Sequence, residues 1–152
     1  ESPTGGFRGL LMIHYITENI EMPDINQAVI NRWIKVIAAH WGRKVGNITY
    51  IFCSDARILE VNKQYLQHDY FTDIITFDYS SGSVIAGDIF ISLDTVADNA
   101  RQLGVLYNDE LNRVLIHGIL HLCGQDDKAP ETQAEMTAKE NAALEILQNE
   151  IN

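Results

Sequence analysis

Cysteine and positive charge are scarce in this chain, and long apolar runs are absent. The two cysteines, Cys53 and Cys123, are too few for a disulfide framework, so a reducing cytoplasm is the expected compartment. No stretch approaches 18 consecutive apolar residues, which excludes a membrane-spanning helix. Repeats, low-complexity tracts and interior linkers are also missing, so the 152 residues read as one domain with room for a core. The segment 1–9 has neither an initiator Met nor an apolar signal core. Residues 1–11 are therefore expected to be an appended remnant or flexible lead-in, with the native chain starting near Met12 and one domain over 12–152.

The shortage of cations is uneven. Eleven Lys and Arg against 21 Asp and Glu give a net charge of −10, which on its face argues against a nucleic-acid partner. Residues 1–54 nevertheless hold five cations against four acids, while 55–104 hold three against eight and 108–152 three against nine. Any phosphate-binding surface should draw on the first helix, where Arg32, Lys35, Arg43 and Lys44 are expected to lie. A solvated helix face with some basic residues is an equal alternative.

What is present is an ordinary globular pattern, 46% hydrophobic. Met12 to Tyr15 alternates as a first strand. Asp24, with Gln27 three later as in a capping box, is expected to open a helix with Ile25, Val29, Trp33, Val36 and Ile37 on one side, stopped at Gly42. Residues 47–53 are β-branched and aromatic, a buried strand. Ser54 caps a helix bearing Ile58, Val61 and Tyr65. Residues 72–79 and 84–92 read as strands joined by a short glycine-bearing linker, a hairpin or a wider turn. Ser92 or Asp94 starts a helix that Gly104 ends. A further helix opens at 108, with two acids in its first turn, and a last one at Pro130. The order is β-α-β-α-β-β-α-α-α, a mixed sheet with helices packed on it.

The chemistry concentrates in the helix that starts at 108. His117 and His121 are four apart and project from one helix face, so both imidazoles can reach one cation. Gly124 suits a left-handed helix end, after which the chain can fold back and bring the Asp127 carboxylate to the same ion. Two histidines, a carboxylate and an open position are the makings of a catalytic zinc site, and Asp127 also admits harder divalent ions such as manganese. The competing reading is two satisfied core histidines and a capping Asp. The spacing is that of the zinc-peptidase motif H-E-x-x-H-x-x-G-x-x-H, so the helix is zincin-like, but Gly118 replaces the general-base Glu. That decides against an ordinary peptidase. Cys123 reads as an apolar filler rather than a fourth ligand, and His40 as a packed or surface side chain.

The run His117-Gly118-Ile119-Leu120-His121-Leu122-Cys123-Gly124 resembles the H-G-x-L-H-L-x-G signature of the YbeY-type metallo-endoribonucleases, which normally continues Tyr-Asp-His. Three upstream blocks agree. The run from Val61 to Tyr65 resembles the family's L-N-x-x-Y/F, Thr72 to Phe77 its P-T-D-V-L-S-F, and Gly87 to Ser92 its G-D-I-x-I-S. The resemblance spans roughly 55–128 in order. It implies a cytoplasmic, zinc-dependent, single-strand-specific endoribonuclease with an α+β fold, a small mixed four-stranded sheet flanked by about five helices. Such enzymes act in ribosomal RNA processing, at the 3′ end of the 16S RNA of the small ribosomal subunit, and in ribosome quality control. His117 and His121 carry over as ligands, and Asp127 stands at the third-ligand position.

Two departures accompany the resemblance. Asp127 replaces a His, and Leu66 stands where the family carries an Arg thought to assist catalysis. Phe71 also replaces the usual residue before Thr72. His68, Asp73 and Asp88 are the candidates for a catalytic base or polar cleft group. Attack on the phosphodiester by water and by the ribose 2′-OH both remain open. Leu66 and the net charge motivate an alternative, a metal-containing ribosome assembly or binding factor with weak or no cleavage.

Overall fold

The computed structural model describes residues 13–66 and 72–151. Met12, the lead-in, His68 and Phe71 lie outside the described residues. The elements are β1 (Ile13–Thr17), α1 (Gln27–His40), β2 (Lys44–Cys53), α2 (Asp55–Val61), β3 (Ile74–Asp78), β4 (Val84–Ser92), α3 (Leu93–Leu103), α4 (Tyr107–Cys123) and α5 (Pro130–Ile146). Helix α2 runs into a π-helical turn over Asn62–Leu66, and α5 into another over Leu147–Ile151. This is the expected order and class.

The four strands lie in the order β1-β2-β4-β3. β1, β2 and β4 are parallel, and β3 pairs antiparallel with β4 at the edge. The β3–β4 linker is therefore a hairpin. It closes through Ser81 and Val84, which exchange backbone hydrogen bonds around Gly82 at φ 60°, a left-handed position that a glycine adopts without strain.

Strand alternation divides the core in two. Ile48, Tyr50, Phe52, Ile85, Ile89 and Ile91 face α1, α4 and α5 in the larger cluster. Ile51, Cys53, Ile75 and Phe90 face α2 in the smaller one, with Ile58 and Val61. Two buried polar groups tie the larger core together. The Tyr50 hydroxyl donates to the Leu115 carbonyl at 2.7 Å, and the Trp33 indole to the Ala143 carbonyl at 2.7 Å. These bonds fix α4 and α5 relative to β2 and α1.

Several boundaries differ from the sequence-based expectation. Asn26, not Asp24, caps α1, its side chain accepting from the Val29 N–H. Asp24 and Ile25 are not yet helical, so Gln27 begins the helix instead of closing a capping box. β2 begins at Lys44, three residues early, and a register shift between Val45 and Ile48 absorbs the extra length. Lys44 thus belongs to a strand and Arg43 to the link just before it, and only Arg32 and Lys35 lie on α1. Helix α4 opens at Tyr107 without a side-chain cap. No described helix is long and apolar enough to cross a membrane.

Candidate metal centre

Helix α4 is amphipathic in an unusual sense: its buried side is apolar apart from Glu110, and its remaining side carries Arg113, His117 and His121 at intervals of four. That interval stacks the three side chains along one face. The helix ends at Gly124, φ 109°, where the Gly124 N–H bonds the His121 carbonyl and the Gln125 N–H the Leu120 carbonyl. The Asp126 carboxylate then accepts from the backbone N–H groups of Asp127 and Lys128, at 2.7 and 3.2 Å. This local turn returns Asp127 to the helix.

As a result the Nε2 atoms of His117 and His121 each lie 3.3 Å from Asp127 Oδ2. The three side chains form a group able to hold a metal ion, with donor atoms all within 4.8 Å of one another. Tetrahedral bonds of about 2.0–2.1 Å from one zinc ion would separate neighbouring donors by about 3.3 Å. The donor set and its spacing fit such an ion. Glu140 of α5 completes the surroundings. Its Oε2 accepts from His117 Nδ1 at 2.6 Å, and its Oε1 accepts from Arg113 at 2.8 Å.

The electrostatics of the two histidines diverge. Burial would lower the His117 pKa, but the hydrogen bond and charge of Glu140, with Asp127 and Asp73, carry it above its ordinary value. Burial and the neighbouring His117 push His121 below the ordinary value. For Glu140, burial would raise the pKa, and His117 and Arg113 outweigh it to hold the group below the usual carboxylate range. With Glu140 Oε2 accepting from Nδ1–H, the neutral His117 ring keeps its Nε2 lone pair for a ligand. Nearby, burial raises the pKa of Glu110.

An open cleft of about 400 Å³ adjoins the group, lined among others by Asn62, Leu66, Thr72, Thr76, His121 and Lys128. Its floor is edge strand β3, where Ile74, Thr76 and Asp78 share the side that faces α4.

These positions bear on the comparisons with known proteins. The sequence profile described as endoribonuclease YbeY matches residues 12–148. The chain belongs to that family. An endoribonuclease YbeY of Bacteroides thetaiotaomicron is 58% identical over 88% of this chain and 98% of its own length. One of Phocaeicola vulgatus is 60% identical over 90% of this chain and 99% of its own. A solution structure of a Thermotoga maritima protein superposes with a TM-score of 0.60, at 26% identity over 91% of each chain. The resemblance drawn from the signature blocks is thus borne out.

Not every expected site residue meets the cleft. Asp73, just before β3, does not line the cleft, although its charge helps raise the pKa of both His117 and Glu110. Asp88 is 4% exposed and shares strand parity with Phe90, so the sheet separates it from α4; its carboxylate accepts from the Tyr79 hydroxyl at 3.3 Å. Cys123 and Cys53 are buried free thiols, raised to about 11 and about 12 by burial. His40 lies with Trp41 and Lys139 in a groove between α1 and α5. The Arg43 guanidinium reaches the carbonyls of Gly82 and Cys123 at 3.4 Å, beside the metal turn, but Arg32, Lys35 and Lys44 do not line the cleft.

Arg113, Lys128 and Glu140 went unnoticed in the sequence. Arg113 had a signal, one turn before His117 on the same face. Glu140 had another, since it interrupts the buried stripe Met136, Ala143 and Leu147 with a charge.

Proposed function

We propose that this chain is a metal-dependent endoribonuclease of ribosomal RNA processing, cleaving single-stranded RNA in the cleft between β3 and α4. The observation that carries this is the meeting of three donors from one helix and its terminal turn at an open cleft, in a YbeY family chain. His117, His121 and Asp127 would hold Zn²⁺, with other divalent ions admitted by the carboxylate. Such an ion supplies acidification of water, polarisation of a phosphoryl oxygen and stabilisation of the anionic transition state.

The chain's own groups supply the rest. Lys128 can neutralise a phosphate at the cleft mouth, and Thr72, Thr76 and Asn62 can hydrogen-bond ribose or phosphate oxygens. Asp73, beside Thr72 at the edge of the cleft, remains the candidate to take a proton, because Asp88 faces the other side of the sheet. RNA would approach over Lys128 and Arg43, with Arg32, Lys35 and Lys44 as outlying phosphate contacts. The small ribosomal subunit is the expected partner and the bacterial cytoplasm the expected compartment, consistent with two free thiols.

Leu66 lines the cleft and cannot bind a phosphate, which favours a second reading, a metal-containing assembly factor with little cleavage. One experiment separates the two: zinc-loaded wild type and His121→Ala, with metal content measured, on single-stranded RNA and a peptide panel. Cleavage of RNA alone, lost with the metal in the variant, supports the endoribonuclease. Bound metal without turnover supports the assembly factor, and peptide cleavage would overturn both.

A further inference from the structure

The His117 ring is gripped from behind by a chain of groups that His121 lacks. Glu140 Oε2 accepts from His117 Nδ1–H at 2.6 Å, Glu140 Oε1 accepts from Arg113 at 2.8 Å, and Arg113 donates again to Asn141 Oδ1 at 2.7 Å. Each carboxylate oxygen thus has its own donor. Glu140 is 6% exposed, so water competes little for either oxygen. Only two helices are involved: Arg113 lies one turn below His117 on α4, and Asn141 follows Glu140 on α5.

We propose that Glu140, anchored by Arg113 and Asn141, is a positioning residue that fixes the tautomer and aim of His117 and so sets the metal affinity of the whole group. This rests on the metal reading given above. The physical case has three steps. A carboxylate that accepts from Nδ1–H keeps the proton there and leaves the Nε2 lone pair directed at the ion. The same bond makes the imidazole a stronger donor. Arg113, bonded to Glu140 Oε1 through one nitrogen and to Asn141 through the other, holds the carboxylate in place, so the carboxylate cannot follow a turning ring without breaking a second charge-assisted bond. Helix α5 thereby becomes part of the metal centre, although it contributes no ligand.

A purely structural role for Glu140, pinning α5 to α4 through Arg113, would leave the donor group unaffected once the protein is folded. The test uses Zn²⁺ alone, in competition with a chromophoric chelator, on the full chain. Glu140→Gln keeps the side-chain volume, and Arg113, a third exposed, can be solvated. Zinc affinity should fall about ten- to hundredfold in Glu140→Gln, the usual scale for losing an outer carboxylate partner, and by less in Arg113→Met. In a His117→Ala background, Glu140→Gln should change affinity less than about twofold, because there is no ring left to position.

Nitrogen NMR of the metal-free protein, taken above the imidazole titration, should show the His117 proton on Nδ1 in wild type and a mixture of tautomers in Glu140→Gln. Wild-type affinity in a folded Glu140→Gln, or an equal loss in the His117→Ala background, would overturn the positioning role while leaving the metal reading intact. A wild type that binds no zinc would overturn both.

Discussion

On one face of the sheet, Ile48, Tyr50, Phe52, Ile85, Ile89 and Ile91 meet α1 and α4 in a core that continues to α5; on the other, Ile51, Cys53, Ile75 and Phe90 meet α2. Ile89 and Phe90 are neighbours in β4 and both almost completely buried, yet they serve different ends. Ile89 lies under Gly118, between the two metal-ligand candidates, and helps set the height of α4 above β3. Phe90 packs edge-on against Phe77 at 6.0 Å, on the far side from every donor atom. One face therefore positions the chemistry, while the other contributes stability.

Truncation on the stability face should have the largest energetic effect and the least functional one. Phe90→Ala removes a fully buried ring and is expected to cost about 3–5 kcal/mol, read from denaturant unfolding. Among molecules that remain folded, zinc affinity should stay within about twofold of wild type, since the disturbance is separated from the donors by the sheet. An affinity that drops in proportion to stability would dissolve the distinction between the faces.

Gly118→Ala probes the other face with a single methyl group. A Cβ there would lie 3.0 Å from both Ile89 Cδ1 and Cγ2 and 3.2 Å from Ile74 Cδ1. Either these side chains give by a few tenths of an ångström or α4 rises from the sheet, at about 1–3 kcal/mol for such overpacking. Because the histidines flank this point, zinc affinity should fall several-fold despite the smaller stability loss. Adding Ile89→Val should restore part of both, by removing Cδ1. If Ile89→Val restores stability but not affinity, the helix height is not what holds the ligands. The contact also gives Gly118 a reason that the motif did not: its missing side chain is the space in which α4 meets β4 and β3.

This explains which parts of the site were legible in the sequence. His117, His121, Gly124 and Asp127 lie within eleven residues, and helix periodicity plus one left-handed glycine fixes their relation without reference to the rest of the chain. Strand existence and the hairpin were equally local. Asp88 could not be assigned to a face until the register Asp88 with Thr49 and Phe77 was known, because one step along a strand reverses the side chain. Glu140 lies 23 residues from His117, and only the packing of α5 on α4 brings them together. Arg43 and Lys44 seemed helical because charge count carries no information about where a helix stops. Asn26 took the cap from Asp24 for a similar reason, since both are good caps and packing of Ile30 and Trp33 chose the start.

The smallest expected effect concerns pH and compares the metal-free and zinc-loaded states of the same face. Without metal, the raised His117 pKa means that its contribution to stability is fully present below the unfolded value, near 6.5, and is lost as pH rises through the higher folded value. Glu140 acts in the opposite sense: its depressed pKa gives stability that is present above the unfolded value, near 4.5, and lost as pH falls through the lower folded value. The pair is therefore strongest between these ranges, and the melting temperature of chelator-treated protein should drop by a few degrees as His117 deprotonates. Zinc reverses the upper limb, because binding requires neutral His117 and competes with its proton, so zinc-loaded protein should gain stability over the same pH rise. Thermal melts from pH 5 to 9 with chelator and with zinc should diverge on the alkaline side. In Glu140→Gln the metal-free decline should flatten, since the partner that raised the His117 pKa is gone. Parallel wild-type curves would show that Glu140 and the metal do not act on the same imidazole.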